Sequence, residues 1–376
     1  MKIGILTLPL HSNYGGILQA YALQKYLLNE GHEVKLLDKS PYVKEPNILR
    51  LPYVLFIRFI KKFILRKDVI FLTERYYNTT YDIVNKELTR FIHQYINRVE
   101  VDNLSSLKST DFEALIVGSD QIWRPSYYPN IEDAYFKFAE NWNVKRISYA
   151  PSFGKDSWEY SDLQSNNCKK LISKFDFVSV REDSAAILCE KFLGISAVHV
   201  LDPTMLLSAE HYRDLFRTSS SEKSKGDLLN YILDSSEDIS DFIENLSADL
   251  NLTPFRVNSV SESLFASLEE RTKPSIEVWL RGFDESKFIV TDSFHACVFS
   301  IIFNKPFIVI ANKERGYARF SSLLKQFDLE DRIMYESLEY NSIIKNQIDW
   351  DIVNNKLETL SRKSKDFLLE WLKSSK

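Results

Sequence analysis

Three polar side chains follow a buried strand in the second half of the chain. Asp292, Ser293 and His295 come directly after the apolar run 288–290 and next to an apolar helix predicted over 296–303. An imidazole beside a carboxylate could exchange protons with a ligand, because the charge of histidine changes near neutral pH. Backbone N–H groups at a helix N-terminus also bind anions. The turn alone is equally compatible with a simple N-cap and a buried, hydrogen-bonded histidine, so its meaning depends on the rest of the chain.

The first predicted strand, 2–7, ends in a turn that contains two glycines. Asn13 could reach a ligand from this turn, while Gly15 and Gly16 would let a ligand or another helix come close to the backbone. In open α/β sheets the first such turn usually lines the ligand crevice. The alternative is a turn that only leads into the helix predicted over 17–29. The pattern is not GxGxxG, so no dinucleotide is predicted.

Polar side chains follow two more buried strands. Asp120 and Gln121 come after the run 114–117, and Arg181 comes after the run 177–180. A guanidinium beside a helix N-terminus suits a carboxylate or a phosphate. An ion pair between Arg181 and its acidic neighbours explains the local sequence equally well.

Two arginines lie beyond the last strand of the central stretch. Arg315 and Arg319 are four residues apart, so they would share one face if the segment is helical. Such a pair could clamp an anionic ligand, and the alternative is a basic face in water.

Buried strands that alternate with helices must position these groups. Continuous apolar runs of strand length favour a parallel sheet covered on both faces. A chain of 376 residues suggests two domains. The predicted organisation is α/β, with an N-terminal Rossmann-like domain over 1–203, a C-terminal Rossmann-like domain over 204–348, and a helix over 349–376 that packs back on the body.

Composition argues against several classes of protein. A net charge of −4 does not suit a general nucleic-acid binder. Three cysteines without a CxxC pair fit reduced thiols and give no zinc site. The first residues indicate a strand rather than a signal peptide, and no apolar run reaches membrane-spanning length. We therefore expect a cytoplasmic protein.

One segment, 40–70, interrupts the α/β pattern. Between residues 50 and 67 lie six basic residues and no acidic one, among many large apolar residues. A basic, apolar helix suits an anionic membrane surface. The alternative is a helix that packs on the protein with its charges in water.

Six short segments follow one another along the chain: Asn13-Tyr-Gly-Gly, Val117-Gly-Ser-Asp-Gln-Ile-Trp, Ser179-Val-Arg-Glu, Leu201-Asp-Pro-Thr, Thr291-Asp-Ser-Phe-His-Ala and Arg315-Gly-Tyr-Ala-Arg-Phe. Their order and spacing resemble the polysaccharide pyruvyl transferase family. The resemblance covers about residues 1–335 and implies two Rossmann-like domains facing across a cleft, similar to the glycosyltransferase-B arrangement, with the acceptor on the N-terminal side and the donor on the C-terminal side.

The resemblance also implies a reaction. Phosphoenolpyruvate would be the donor, a sugar of a surface polysaccharide precursor the acceptor, and a pyruvate ketal and phosphate the products, without a metal or cofactor. His295 matches the family's active-site histidine, which could bind the phosphate or act as general acid. Asp292 or Asp120 would accept a proton from the acceptor, and Arg181 would hold the anionic donor.

One position departs from the family, because many members have arginine two residues before the histidine and this chain has Ser293. We hypothesise that Arg315 or Arg319 replaces that arginine. The competing interpretations are a sugar-nucleotide glycosyltransferase of the same fold and a non-catalytic scaffold in polysaccharide assembly. The basic segment would suit a lipid-linked acceptor at the inner membrane face. The predicted catalytic and substrate-binding residues are His295, Asp292 and Asp120, with Asn13, Gly15, Gly16, Gln121, Arg181, Ser293, Arg315 and Arg319.

Overall fold

Two parallel β-sheets, each covered by helices, organise the chain. The computed structural model describes residues 1–234, 236–311, 316–335 and 340–373. The predicted pair of α/β domains with parallel sheets is confirmed. The exact boundary between them, placed at residue 203 from the sequence, stays a prediction.

The N-terminal domain contains seven strands within residues 1–203. In chain order its elements are β1 (Lys2–Leu6), α1 (Tyr14–Asn29), β2 (Glu33–Asp38), α2 (Leu51–Phe59), α3 (Thr73–Val84), α4 (Lys86–Tyr95), β3 (Arg98–Glu100), β4 (Ala114–Val117), β5 (Lys145–Ser148), α5 (Asp162–Ile172), β6 (Phe177–Val180), α6 (Asp183–Leu188) and β7 (Val198–His199). The strand order is β3-β2-β1-β4-β5-β6-β7, and all neighbouring strands are parallel. Every residue of β4 is buried, as expected for a sheet covered on both faces.

The C-terminal domain has a smaller sheet, followed by a long helix. Its elements are α7 (Ala209–Arg217), β8 (Leu228–Tyr231), α8 (Glu237–Leu250), β9 (Pro254–Phe255), α9 (Leu268–Arg271), α10 (Ile276–Glu285), β10 (Phe288–Thr291), α11 (Phe294–Ile302), β11 (Phe307–Ile310), α12 (Tyr317–Phe327), β12 (Ile333–Met334), α13 (Tyr340–Lys345) and α14 (Trp350–Lys373). Among the described residues the strand order is β9-β8-β10-β11-β12, again all parallel.

Each sheet reverses its strand order at one point. The reversal lies between β1 and β4 in the first sheet and between β8 and β10 in the second. At such a point the connections leave in opposite directions, so a crevice opens beyond the carboxyl ends of the two strands. The loops after β1, β4, β8 and β10 are therefore the places where the fold can bind a ligand.

Helix α1 begins at Tyr14, three residues before the predicted start. The sequence suggested a turn there because Gly15 and Gly16 disfavour helix. Tertiary contacts decide otherwise: the Tyr14 ring stacks on Trp279 with centroids 5.7 Å apart, and its hydroxyl donates to the Pro274 carbonyl oxygen at 2.8 Å. These contacts join the two domains and fix the N-terminus of α1 beside α10.

Helix α14 packs on the N-terminal domain. The backbone N–H of Leu201 donates to Ser364 Oγ at 3.0 Å, and the Phe367 ring lies edge-on to Phe177 with centroids 6.0 Å apart. The last long helix therefore returns to the first sheet after the second sheet is complete.

The basic insertion folds as α2 and a π-helical turn, Ile60–Ile64. No residue of either element is buried. The part of the chain that the structure describes includes no helix with the length and apolar character needed to cross a bilayer.

Candidate active site

The two crevices meet in one cleft between the domains. Its volume is about 520 Å³. The loops after β4, β8 and β10, the residue that caps α1, and the start of α12 all contribute side chains. The lining residues are Asn13, Asp120, Gln121, Arg124, Tyr127, Leu233, Asp234, Ile239, Asp292, Ser293, Phe294, His295, Ile310, Ala311 and Arg319.

A buried arginine stands directly under the cleft. The Arg181 guanidinium lies 3.0 Å from Asp202, 3.4 Å from Glu182 and 3.5 Å from Asp120, measured between nitrogen and oxygen atoms. Burial alone would lower the pKa of this guanidinium, but the charges of the three carboxylates raise it. Both sequence interpretations of Arg181 therefore remain, because it is ion-paired and also adjoins the cleft.

Asp202 connects this arginine to the histidine. Its Oδ2 accepts from Arg181 Nη1 (3.0 Å) and Ser119 Oγ (3.2 Å) and lies 3.5 Å from His295 Nε2. Its Oδ1 accepts from the backbone N–H and the hydroxyl of Thr204. Burial alone would raise the pKa of Asp202, but the interaction with His295 and the charge of Arg181 lower it strongly. Asp202 is thus a buried carboxylate that stays ionised.

His295 is held between the two domains. It is the second residue of α11, and 6% of its surface is exposed. On one side its Nε2 faces Asp202. On the other side its ring packs on the backbone of Gly15, where an added Cβ would overlap the imidazole. Only glycine lets α1 approach the ring this closely.

Two guanidiniums lie near the ring of Phe294. The Cζ atoms of Arg181 and Arg319 are 4.3 Å and 5.8 Å from its centroid, within the range of a cation–π interaction. Arg181 Nη2 and Arg319 Nε are buried and have no hydrogen-bond partner among the described residues. Burial and the charge of Arg181 lower the pKa of Arg319. Arg181 Nη2 already lies 3.5 Å from Asp120 Oδ1, so an anion at this place would mainly offer a partner to Arg319 and offset the repulsion between the two cations.

Asp120 has an unusual backbone. Its φ of 69° and ψ of −174° lie in a region that is almost restricted to glycine and costs a side-chain-bearing residue about 1–3 kcal/mol. The conformation is held by a parallel bridge to Pro151 and by a 2.8 Å bond from the N–H of Ser152 to the Asp120 carbonyl oxygen. It points the carboxylate of Asp120 toward Arg181 at the cleft floor.

Asp292 fastens the neighbouring loop. Its two carboxylate oxygens accept from the backbone N–H groups of Leu233 (2.8 Å) and Asp234 (2.9 Å), in the loop after β8. Burial raises the pKa of Asp292, although these two hydrogen bonds oppose the shift. Ser293 is the N-cap of α11 but its side chain makes no capping bond, so its hydroxyl is available at the cleft.

The N-terminal side of the cleft is more open. Asn13 is exposed and caps α1 without a side-chain bond to the helix. Gln121 Oε1 accepts from Arg124 Nη1 at 3.0 Å, and the Arg124 guanidinium lies 5.0 Å from the ring centroid of Tyr127. Tyr127 is a largely exposed aromatic ring at the cleft edge.

The structure brings most of the predicted residues together. Seven of them line the cleft, and two more lie beneath it, with Arg181 under Asp120 and Gly15 under His295. Gly16 does not line the cleft, and Arg315 lies outside the described residues. The roles assigned to all of them from the sequence stay predictions. The seven lining residues are Asn13, Asp120, Gln121, Asp292, Ser293, His295 and Arg319.

Sequence reasoning missed Asp202 and Phe294. Asp202 was read as part of a domain boundary, although it stands just after β7, at the sheet edge where the other site residues were found. Phe294 was read as part of the turn before the helix predicted over 296–303, whereas α11 already begins at Phe294. Neither residue carries a local signal for its role, because the partners are distant in sequence. In the described residues no group of three or more His, Cys, Asp or Glu side chains could hold a metal ion.

Comparison with known proteins agrees with the fold. The UDP-GlcNAc 2-epimerase from Neisseria meningitidis, solved bound to UDP-GlcNAc, is similar with a TM-score of 0.52 and 10% identity over 98% of this chain and 100% of that chain. A glycosyltransferase from Rickettsia africae ESF-5 has a TM-score of 0.49 and 12% identity over 100% and 99%. No curated protein matches the sequence. The model of the polysaccharide pyruvyl transferase family matches residues 13–314.

Two Rossmann-like domains that face each other across a cleft define the glycosyltransferase-B arrangement, as predicted. The family match covers most of the chain, so the chain belongs to the polysaccharide pyruvyl transferase family. It is a transferase that acts on polysaccharide.

Proposed function

We propose that this transferase moves the enolpyruvyl group of phosphoenolpyruvate onto a sugar of a surface polysaccharide precursor, forming a pyruvate ketal and releasing phosphate. One observation carries the proposal: two buried guanidiniums, Arg181 and Arg319, lie around Phe294 next to His295, and each has one nitrogen without a hydrogen-bond partner among the described residues. A donor with a carboxylate and a phosphate needs such cationic groups, whereas a neutral sugar does not.

Arg319 and the start of α11 are the proposed donor site. A buried N–H without a partner costs free energy that a ligand oxygen restores on binding. The N-terminus of α11 adds backbone N–H groups to the guanidinium of Arg319. Arg319 would thereby replace the arginine that many family members carry at the position of Ser293.

His295 is the proposed general acid. The protonated imidazole donates its proton to C3 of phosphoenolpyruvate, which becomes a methyl group and leaves C2 electron-deficient. A sugar hydroxyl oxygen bonds to C2 and its proton passes to a carboxylate. Asp202 orients the imidazole and balances its charge when the ring is protonated.

Ketal closure follows at the same carbon. The bond between C2 and the phosphate oxygen breaks, and phosphate leaves with the electron pair. A second hydroxyl of the sugar bonds to C2 and loses its proton. The acceptor gives up two hydroxyl protons. One of them returns to His295 and replaces the proton that formed the methyl group, and the other leaves with phosphate.

Asp292 and Asp120 are the candidate bases. Burial raises the pKa of Asp292. Its carboxylate therefore accepts a proton more readily than that of an ordinary aspartate. Asp120 is held in an ion pair 3.5 Å from Arg181. We therefore assign the base to Asp292 and the orientation of the acceptor to Asp120.

The acceptor would enter from the N-terminal side. Asn13 and Gln121 offer amide groups for sugar hydroxyls, and the ring of Tyr127 offers an exposed apolar face. We also propose that the acceptor is lipid-linked and that the protein works in the cytoplasm at the inner membrane face.

Binding of phosphoenolpyruvate, measured by isothermal titration calorimetry, tests the donor without knowledge of the acceptor. We expect binding that Arg319→Gln weakens at least about tenfold, because a charge-assisted contact contributes about 1.5–3 kcal/mol. The control is Arg362→Gln, which removes an exposed arginine on α14. Binding of nucleotide sugars without phosphoenolpyruvate would favour the glycosyltransferase. Binding of neither would favour the scaffold.

Phosphate release from phosphoenolpyruvate in the presence of galactosides, free or lipid-linked, tests the reaction. Release that depends on acceptor and disappears in His295→Ala supports pyruvyl transfer with His295 as acid. If phosphate release survives the substitution, the proposed reaction still stands, but His295 is not its general acid.

A further inference from the structure

Helix α2 and the π-helical turn after it carry aromatic side chains on one outer face. Tyr53, Phe56, Phe59 and Phe63 are three or four residues apart, so they lie on the same side. They are 49% to 69% exposed. We call these four residues the aromatic stripe. A protein in water rarely exposes so many large apolar side chains together unless the surface binds something.

The aromatic stripe belongs to a packed element. Arg58 donates to the Phe71 carbonyl oxygen at 2.8 Å and pairs with Glu74 of α3 at 2.6 Å. The Phe63 ring lies 4.6 Å from the ring of Phe59 and 6.5 Å from that of Phe71, measured between centroids. The inner side of the segment is therefore tied to the body while its outer side stays in water.

Positive charge surrounds the aromatic stripe. Lys61, Lys62, Arg66 and Lys67 are all exposed, and residues 46–67 include no acidic side chain. None of these four forms an ion pair within the described ranges. The chain as a whole carries a net charge of −4, so this basic surface is a local feature.

The C-terminal domain extends the same surface. A groove of about 440 Å³ lies between one wall with three basic side chains and one acidic one and a loop that contains Leu264 and Phe265. The charged residues of that wall are Arg58, Lys61, Lys67 and Asp68. Phe265 is itself largely exposed. Basic groups of the N-terminal domain and apolar groups of the C-terminal domain thus border the same groove.

We propose that this surface docks on an anionic lipid membrane, with the aromatic stripe in the interface and the lysines at headgroup phosphates. A lipid interface is both apolar and anionic, which matches the two properties of the surface. A second copy of the chain fits less well, because a symmetric dimer would bring the same positive charges face to face. This inference rests on the proposed function for the location at a membrane and adds the surface that makes the contact, whereas it does not depend on the transfer reaction.

Sedimentation with lipid vesicles tests the charge. We expect the full chain to bind vesicles that contain phosphatidylglycerol, and to bind vesicles of phosphatidylcholine much more weakly. The variant Lys61→Gln/Lys62→Gln/Lys67→Gln should lose roughly a hundredfold in affinity, given the contribution of each basic residue at an anionic surface. The matched control Lys108→Gln/Lys223→Gln/Lys225→Gln removes the same charge from exposed loops elsewhere and should bind like wild type.

The aromatic stripe is tested by Phe56→Ser/Phe63→Ser. Phe56 and Phe63 are 60% and 59% exposed, so the variant should stay folded, with at most a small fall in melting temperature from the lost contacts of Phe63. Vesicle affinity should fall at least about tenfold. Equal loss in both triple variants, or equal binding to both kinds of vesicle, would overturn the proposal. So would a dimer in analytical ultracentrifugation that Phe56→Ser/Phe63→Ser converts to monomer. Phosphate release from phosphoenolpyruvate with a free galactoside acceptor reports on the proposed function separately.

Discussion

His295 belongs to the C-terminal domain, but the two residues that fix its ring belong to the N-terminal domain. Asp202 stands 3.5 Å from Nε2, and the backbone of Gly15 lies against the opposite face. No space is left between the ring and α1 at Gly15. A small change at Gly15 should therefore act on His295 directly.

Gly15→Ala should lower phosphate release from phosphoenolpyruvate about a hundredfold, since a displacement of about 1 Å in a reacting group has an effect of that size. Gly16→Ala is the control, because its added Cβ would meet only Asn13 at an ordinary 3.4 Å. It should keep activity and gain up to about 1 kcal/mol of helix stability. Equal loss in both variants would show that the first turn of α1, rather than the contact with His295, limits activity.

Asp202→Asn should destabilise the folded protein in a pH-dependent way. The folded-state pKa of Asp202 is lowered, so its ionisation stabilises the fold fully above the unfolded pKa of about 4. This contribution is lost progressively as the pH falls from there through the lower folded-state pKa. We expect the variant to lose about 3 kcal/mol at pH 7, where Arg181 loses a buried counterion.

Urea denaturation of wild type and Asp202→Asn at pH 7 and near pH 3 measures the difference. It should shrink at the lower pH, provided both proteins still fold there. A difference that stays constant across this range would mean that packing or hydrogen bonding, and not the charge of Asp202, accounts for the loss.

At the scale of elements, the cleft forms where the strand order of each sheet reverses. The strands at these two points are β1, β4, β8 and β10, and the loops after them line the cleft. The sequence predicted that Asp120, Asp292 and His295 lie at strand ends, because apolar runs stop just before them. Apolar patterning alone could not predict that the two crevices face each other, and only the family resemblance implied it. That arrangement depends on contacts between α1 and α10, such as the stacking of Tyr14 on Trp279, whose partners are more than 200 residues apart.

The ends of elements show the same limit. Gly15 and Gly16 were read as a turn, and only the contact of Tyr14 with the other domain explains why the helix already includes them. Asp202 was missed for the same reason, since its partners Arg181 and His295 come from different strands and different domains. Local pattern identifies strand ends, and tertiary packing decides which of them meet.

Tyr14→Phe should lower the stability of the protein by about 1 kcal/mol, because the Pro274 carbonyl oxygen loses a hydrogen bond while the stacking on Trp279 remains. Tyr14→Ala should lose about 3–5 kcal/mol and also reduce activity, since α1 would no longer be fixed beside α10. Chemical denaturation and phosphate release together separate the two effects. Full activity in a folded Tyr14→Ala protein would contradict the role given to this contact.

At the scale of the whole molecule, the site exists only while the domains are together. His295 and Arg319 come from one domain, and Asp120, Arg181 and Asp202 from the other. A ligand between them therefore also holds the domains together.

Phosphoenolpyruvate should raise the melting temperature by a few degrees, since saturation at about 100 times the dissociation constant contributes about 2.7 kcal/mol. Arg319→Gln should abolish most of this shift, and Arg362→Gln should not. Differential scanning calorimetry with and without ligand makes the measurement. A shift that is the same in wild type and Arg319→Gln would place the ligand elsewhere.

The backbone of Asp120 has one more consequence, which concerns protein engineering. Its φ of 69° and ψ of −174° are angles that glycine adopts without strain. Asp120→Gly should therefore be more stable than Asp120→Asn by about 1–2 kcal/mol in urea denaturation, while both lack the carboxylate. A redesign that selects only for thermostability would choose glycine here and discard a group at the floor of the cleft. At this position the residue that folding prefers and the residue that the reaction is proposed to use are different ones.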